Sequence, residues 1–215
     1  AVIAHAGTAD TRVFCEVTQL GKELEKIGSR VMGSENHAKV GIIFDWENYW
    51  ALEYTSGPNR DLRYVDQIEQ MYNYFYNKNI AVDMIPIDAD FSKYDLVAAP
   101  VLYMVKDGVA ESLEAYVQAG GTLITTYMSG IVGQSDNVHL GGYPGPLRKM
   151  AGVWVEEIDA LAPEQRNKIR FADGTEEECR LVCDLMHLEG AEKIAQYESC
   201  LLYTSPSPRD MRRSR

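Results

Sequence analysis

The sequence is short of positive charge. Of its 215 residues only 21 are Lys or Arg, against 32 Asp and Glu, for a formal net charge of −11. A nucleic-acid binder needs a basic stripe to displace counterions from phosphate. No such stripe runs through this chain, so neither nucleic acid nor an anionic membrane surface is expected as a partner. Long apolar runs are missing too: nothing approaches the roughly 18 consecutive apolar residues of a membrane span. Ala1 to Gly7 has neither the charged start nor the apolar stretch of a secretion signal. Cysteine is scarce, with Cys15, Cys179, Cys183 and Cys200 making four. That is no disulfide framework, and it fits a reducing, cytoplasmic compartment. Cys179, Cys183 and His187 have a Cys-x3-Cys-x3-His spacing that would share one face of a helix. A structural zinc wants a fourth ligand. The expectation is therefore buried structural residues, with no metal and no cofactor.

What the chain does have is a core. Apolar residues make up 46% and charged residues 25%, a globular balance with room for one domain. The composition shifts after Ser199. Cys200 to Arg215 holds four of the arginines and one of the acids, leaving 17 basic and 31 acidic residues before it. Cys200 to Asp210 resembles the translation of a transposon-end sequencing adapter, with Met211 to Arg215 as its index and flank. Residues 200–215 are accordingly expected to be read-through rather than native chain.

Val13, Val17, Leu20, Leu24 and Ile27 recur at helical spacing, predicting an amphipathic helix from Thr11 to Ile27, capped by Asp10 or Thr11 and ended by Gly28. Met32 to His37 reads as a linker. An alternation follows. Lys39 to Phe44 is a short continuous apolar run, as a strand buried on both faces would be. Val65, Ile68, Met71, Tyr72 and Phe75 mark a helix. Ile80 to Ile87 and Asp95 to Leu102 read as strands, Gly108 to Ala119 as a helix, and Thr122 to Tyr127 as a strand. Helices crossing between strands predict an α/β fold with a mostly parallel sheet and right-handed crossovers, in flavodoxin-like order. Beyond Pro144 a short helix is expected over Gly145 to Ala151. Strands are expected over Val153 to Ile158, Lys168 to Phe171, Cys179 to Leu188 and Glu192 to Tyr197, with a turn at Asp173-Gly174.

Ligands of such sheets sit beyond the carboxyl ends of the strands. The loop there from Asp45 to Pro58 contains Trp46, Glu47, Tyr49, Trp50 and Tyr54. The spacing of the four rings would line them along one side of a helical turn. A protein interface, plain packing on the sheet and direct contact with a sugar all suit that pattern. Asp45 and Glu47 are a carboxylate pair by residue type, but positions i and i+2 at one strand exit rarely flank a glycosidic bond. Ser129, with Asp136 and His139 after it, offers a hydrolase reading. A nucleophile elbow, however, needs Gly-x-Ser-x-Gly, and Tyr127 and Ile131 occupy the glycine positions. A class I amidotransferase would need Cys there. The Gly141 to Pro146 run lacks a phosphate-loop ending. A self-contained α/β hydrolase using Ser129 and His139, or a small-molecule-binding module at the strand ends, is the alternative function.

Several long motifs, in order, resemble one family. Phe44-Asp-Trp-Glu-Asn-Tyr-Trp-Ala-Leu-Glu53, Asp61-Leu-Arg-Tyr64, Thr122 to Val132, His139 to Arg148 and Val155 to Leu161 are similar to the trimerisation domain of glycoside hydrolase family 42 β-galactosidases. His5-Ala-Gly7 and Thr11 to Phe14 resemble the close of that family's catalytic (β/α)8 barrel. Gly190 to Tyr197 resembles a late strand of the middle domain. The resemblance implies residues 1–30 as the last barrel helix and 31–199 as a truncated trimerisation domain of class I glutamine amidotransferase-like fold. It implies a parent enzyme that cleaves terminal β-D-galactosides with retention, using two glutamates that would precede Ala1. No catalytic residue is transferred to this chain. The implied partners are two further copies of itself, with a galactoside as the parent's substrate.

Overall fold

A computed structural model describes residues 5, 7–55 and 57–198. The adapter-like residues 200–215 lie outside the described residues. The chain divides into two units, Ala1–His37 and Ala38–Arg215.

The first unit holds helix α1, Arg12–Val31. Thr11 caps it, its side chain accepting from the Phe14 N–H at 3.3 Å. The predicted stripe is present, and Val13, Val17, Leu20, Leu24, Ile27 and Val31 are all exposed. Gly28 does not end the helix, which runs one turn further. A glycine stops a helix when it takes the left-handed conformation just past the end. Here that exit is made by Met32 in extended geometry, its N–H bonded to the Gly28 carbonyl.

The second unit is built on four parallel strands: β1 (Val40–Ile43), β2 (Val82–Ile85), β3 (Leu96–Ala99) and β4 (Thr122–Thr125), in the order β2-β1-β3-β4. All four β1 residues are buried, as a central strand's uninterrupted Val-Gly-Ile-Ile requires. Successive side chains of a strand point to opposite faces, and so the sheet feeds two cores. On one face Ile42 and Ala98 pack with Tyr64, Ile68 and Phe75. Tyr64 to Phe75 belong to helix α3 (Tyr64–Tyr76), which follows helix α2 (Trp46–Tyr54). On the other face Ile43, Val97 and Ala99 pack with Val109, Leu113 and Tyr116 of helix α4 (Val109–Gln118). Between β2 and β3 the connection is a single 3-10 turn, Phe91–Lys93.

Beyond the sheet come a 3-10 turn at Gly145–Leu147 and the one-turn helix α5 (Arg148–Ala151). Strand β5 (Val153–Ala160) pairs antiparallel with β8 (Val182–Leu188), with a bulge between Val155 and Glu157. A separate sheet runs β7-β6-β9, from β6 (Asn167–Phe171), β7 (Glu176–Cys179) and β9 (Ala195–Tyr197). The predicted strand from Cys179 to Leu188 is therefore two strands. The chain breaks between them at Leu181, which adopts φ +67°. Strand β7 carries no apolar alternation to announce it. Its glutamates are exposed and held by charge, Glu176 bonding Lys168 and Arg170 of β6. The Asp173-Gly174 turn is as expected, with the Asp173 carboxylate accepting from the Thr175 N–H at 2.9 Å.

Candidate functional site

The carboxyl end of β1 delivers Phe44 and Asp45 to the edge where such sheets bind their partners. Asp45 is buried and caps α2, its Oδ2 accepting from the Asn48 N–H at 2.9 Å. Its Oδ1 accepts from Lys106 Nζ at 2.8 Å, and Lys106 also pairs with Glu47. Burial works against the Lys106 ammonium, but the hydrogen bonds and charges of Asp45 and Glu47 outweigh it and raise its pKa. The two acids weighed as a glycosidase pair thus share one cation. Lys106 lies 61 positions from Asp45, with no local pattern to announce it.

Asn48 is fully buried inside α2. Its Nδ2 donates to the Val101 carbonyl at 3.0 Å, and its Oδ1 accepts from the Met104 N–H at 2.8 Å. Val101 itself is buried at φ +47°, a left-handed conformation that a β-branched residue adopts only when its surroundings enforce it. Three side chains supply that enforcement: Asn48, Thr126, whose Oγ1 accepts from the Val101 N–H at 2.8 Å, and Ser129, whose Oγ accepts from the Leu102 N–H at 3.2 Å. Below them the Tyr64 hydroxyl accepts from the Asp45 N–H and donates to the Ile43 carbonyl. Burial pushes its pKa to about 12. The base of α2 is therefore rigid and polar-stapled.

The outer face of α2 is aromatic. Trp46 is 59% exposed, Trp50 51% and Tyr54 90%, and Glu47 is exposed beside them. The Trp46 and Trp50 rings lie 6.1 Å apart, and Trp46 meets the edge of Phe44 at 5.0 Å. Tyr49 is half-buried, 6.1 Å from Trp46 and 6.2 Å from Tyr64. The predicted row of rings thus holds for Trp46, Tyr49 and Trp50. Tyr54 stands apart, without a ring contact to them among the described residues. What the spacing missed is that this segment is a true helix, capped by Asp45, rather than an open loop.

The hydrolase reading of Ser129 and His139 fails on geometry. Ser129 is buried and donates its hydroxyl to the Thr126 carbonyl at 2.7 Å, so its hydrogen-bond partners are backbone groups and not a base. The turn after β4 is tight, with Met128 at φ +56° and Gly130 at φ +66°. A Cβ on Gly130 would lie 1.9 Å from the Pro144 carbonyl oxygen. A methionine that is itself buried sits at the bend, and Ser129 holds the neighbouring turn. His139 Nε2 is buried without a hydrogen-bond partner among the described residues.

The Cys-x3-Cys-x3-His spacing also does not converge on a metal. Cys183 and His187 both lie on β8, and four positions along a strand span about 13 Å. His187 instead stacks on Trp154 at 4.8 Å and bonds Glu156 at 2.5 Å. Among the described residues no group of His, Cys, Asp and Glu is arranged to hold a metal ion, and no helix is long and apolar enough to cross a membrane. One titratable group carries no signal in the sequence. Asp184 of β8 is buried beside a crevice of about 590 Å³, its Oδ1 without a hydrogen-bond partner among the described residues, and burial pushes its pKa up to about 6.

Residues 38–207 match the β-galactosidase trimerisation domain family. The chain belongs to that family. Its fold agrees with that assignment. The β-galactosidase from Bacillus circulans sp. alkalophilus superimposes with a TM-score of 0.80 at 47% identity, over 93% of this chain and 30% of the other. The cold-adapted enzyme from Rahnella sp. R3 gives 0.77 at 44%, with the same coverage. In sequence, the chain is 51% identical over 199 residues to β-galactosidase LacZ of Lactobacillus acidophilus, and 49% over 204 residues to BgaP of Planococcus sp.. Both matches cover 93% of this chain. The chain spans 30% of the length of these relatives.

Proposed function

We propose that this chain is the assembling part of a cytoplasmic β-galactosidase. It would join three copies of a longer polypeptide whose sugar-cleaving glutamates would precede residue 1. Residues 1–30 would be the last helix of the catalytic barrel, residues 31–199 the trimerisation domain and residues 200–215 read-through from a sequencing adapter. The exposed apolar stripe of α1 supports the first of these, since an amphipathic helix needs an apolar surface to cover it. Reading the nucleotides that encode residues 200–215 tests the last.

The observation that carries the reading is the exposed aromatic face of α2 on a base stapled by Asn48 and Lys106. Trp and Tyr are enriched where proteins bind one another, and a rigid platform loses little conformational freedom on docking. Trp46, Trp50, Tyr49, Glu47 and Tyr54 are the interface residues in this reading. Sedimentation is expected to show self-association of the purified chain. The Trp46→Ala, Trp50→Ala double variant is expected to weaken that association by at least tenfold in dissociation constant. Undiminished trimers in the double variant would remove α2 from the interface.

The same reading predicts no hydrolysis of a chromogenic β-galactoside by the chain alone. Asp45 and Glu47 are bound to Lys106, and neither is placed to act as acid and nucleophile across a sugar. Turnover that disappears in Glu47→Gln would locate a catalytic centre here and overturn the proposal.

A further inference from the structure

Where the chain passes from one small sheet to the other, two thiols face each other. Cys179 closes β7 and Cys183 lies in β8, with their Sγ atoms 3.7 Å apart. Both are free. The bend between them is short and fixed: Leu181 holds φ +67°, and the Val182 N–H bonds the Arg180 carbonyl at 2.8 Å. Disulfide bonding distance is about 2 Å, so closure asks the sulfurs to approach by roughly 1.7 Å.

The two thiols are not equivalent. Cys179 is half-buried and within reach of a small solute. Cys183 is 1% exposed, and the Asn167 side-chain amide points at its sulfur from 3.9 Å. Burial, reinforced by the neighbouring Cys179 sulfur, pushes the Cys183 thiol up to about 12. A thiol held protonated is a poor first nucleophile. The half-buried sulfur therefore meets an oxidant first, and the buried one is placed to close on it.

We propose that Cys179 and Cys183 form an oxidation site, which a peroxide converts to an intramolecular disulfide tying β7 to β8. The Cys179 thiolate attacks one oxygen of hydrogen peroxide, the O–O bond breaks, and a sulfenic acid and hydroxide result. The Cys183 sulfur then attacks the Cys179 sulfur, the S–O bond breaks, and the hydroxide leaves with the Cys183 proton as water. Overall, two thiols and one peroxide give one disulfide and two waters. In a reducing compartment glutathione would reopen the bond, so the closed form is transient and marks oxidative conditions.

The sequence supplies its own readout, because Arg180 lies between the two cysteines. Trypsin separates them into Phe171–Arg180 and Leu181–Lys193. The test treats the folded 215-residue chain, with Cys15→Ser and Cys200→Ser to remove intermolecular bridges, with hydrogen peroxide and then blocks remaining thiols. The expected result is that the two peptides appear joined, lighter than their sum by two hydrogens, and separate on reduction with dithiothreitol. Cys179 recovered as sulfinic acid while Cys183 is still alkylated would overturn the proposal, as would recovery of both as blocked thiols.

Discussion

Asn48→Ala is expected to lower the stability of the second unit by about 3–5 kcal/mol. The side chain makes two buried hydrogen bonds, to Val101 and from Met104, each contributing about 1 kcal/mol net. Its removal does more than delete them. The Met104 N–H is left in an interior that water does not reach, at a further cost of about 1–3 kcal/mol. The left-handed turn at Val101 also loses one of its three polar supports. Urea unfolding followed by circular dichroism should show a lower midpoint at unchanged slope. A loss below about 1 kcal/mol would mean that Thr126 and Ser129 hold the turn without Asn48. This variant also separates the two roles of α2. Trp46→Ala and Trp50→Ala remove exposed rings and should weaken self-association while leaving the urea midpoint nearly unmoved. Asn48→Ala should reduce both.

The contrast between those variants is also the line between what the sequence made legible and what it did not. The two central strands were readable because a strand covered on both faces has no polar position to spare, and Val40 to Ile43 and Leu96 to Ala99 say so locally. The row of rings at Trp46, Tyr49 and Trp50 was readable from spacing alone. The staple beneath it was not. Asn48 reaches Val101 across 53 positions and Lys106 reaches Asp45 across 61, and no window of sequence contains both ends. Strand β7 was invisible for a different reason. Glu176, Glu177 and Glu178 carry none of the apolar alternation that marks a strand; what holds them is pairing with β6 and its basic side chains. The Ser129 reading failed because residue type near a strand end says nothing about where a hydroxyl points. Gly130 was plain as a glycine, but its reason, the Pro144 carbonyl against it, is a contact between loops.

Asp184→Asn is expected to reverse the usual sign of a core substitution and stabilise the chain near neutral pH. Burial raises the Asp184 pKa from 3.8 to about 6. A tenfold change in a proton-binding constant corresponds to about 1.4 kcal/mol, so the ionised carboxylate costs the fold roughly 3 kcal/mol at full effect. The sign follows from proton counting. Between about pH 4 and pH 6 the native state binds more protons at this site than the unfolded state does. Stability therefore falls as pH rises through that window, and the full penalty stands above it. Below about pH 4 both states are protonated and the penalty is gone. Asparagine has no proton to lose. Denaturation midpoints of the two proteins should coincide near pH 4, and their stabilities should separate by up to about 3 kcal/mol at about pH 7.5, with the variant the more stable. The groups facing Asp184 point the same way. The Tyr127 phenol is pushed up to about 12, by burial first and then by the Asp184 charge, and Tyr197 is raised too, by burial first, so both stay neutral at these pH values and neither offsets the Asp184 charge. Asp159, on the paired strand, is another acid whose pKa burial raises. Parallel stability curves for the two proteins from about pH 4 to 7.5 would show that Asp184 is already paired or hydrated in solution. A gap that closes when the chain self-associates would place a cation of a second copy against Asp184.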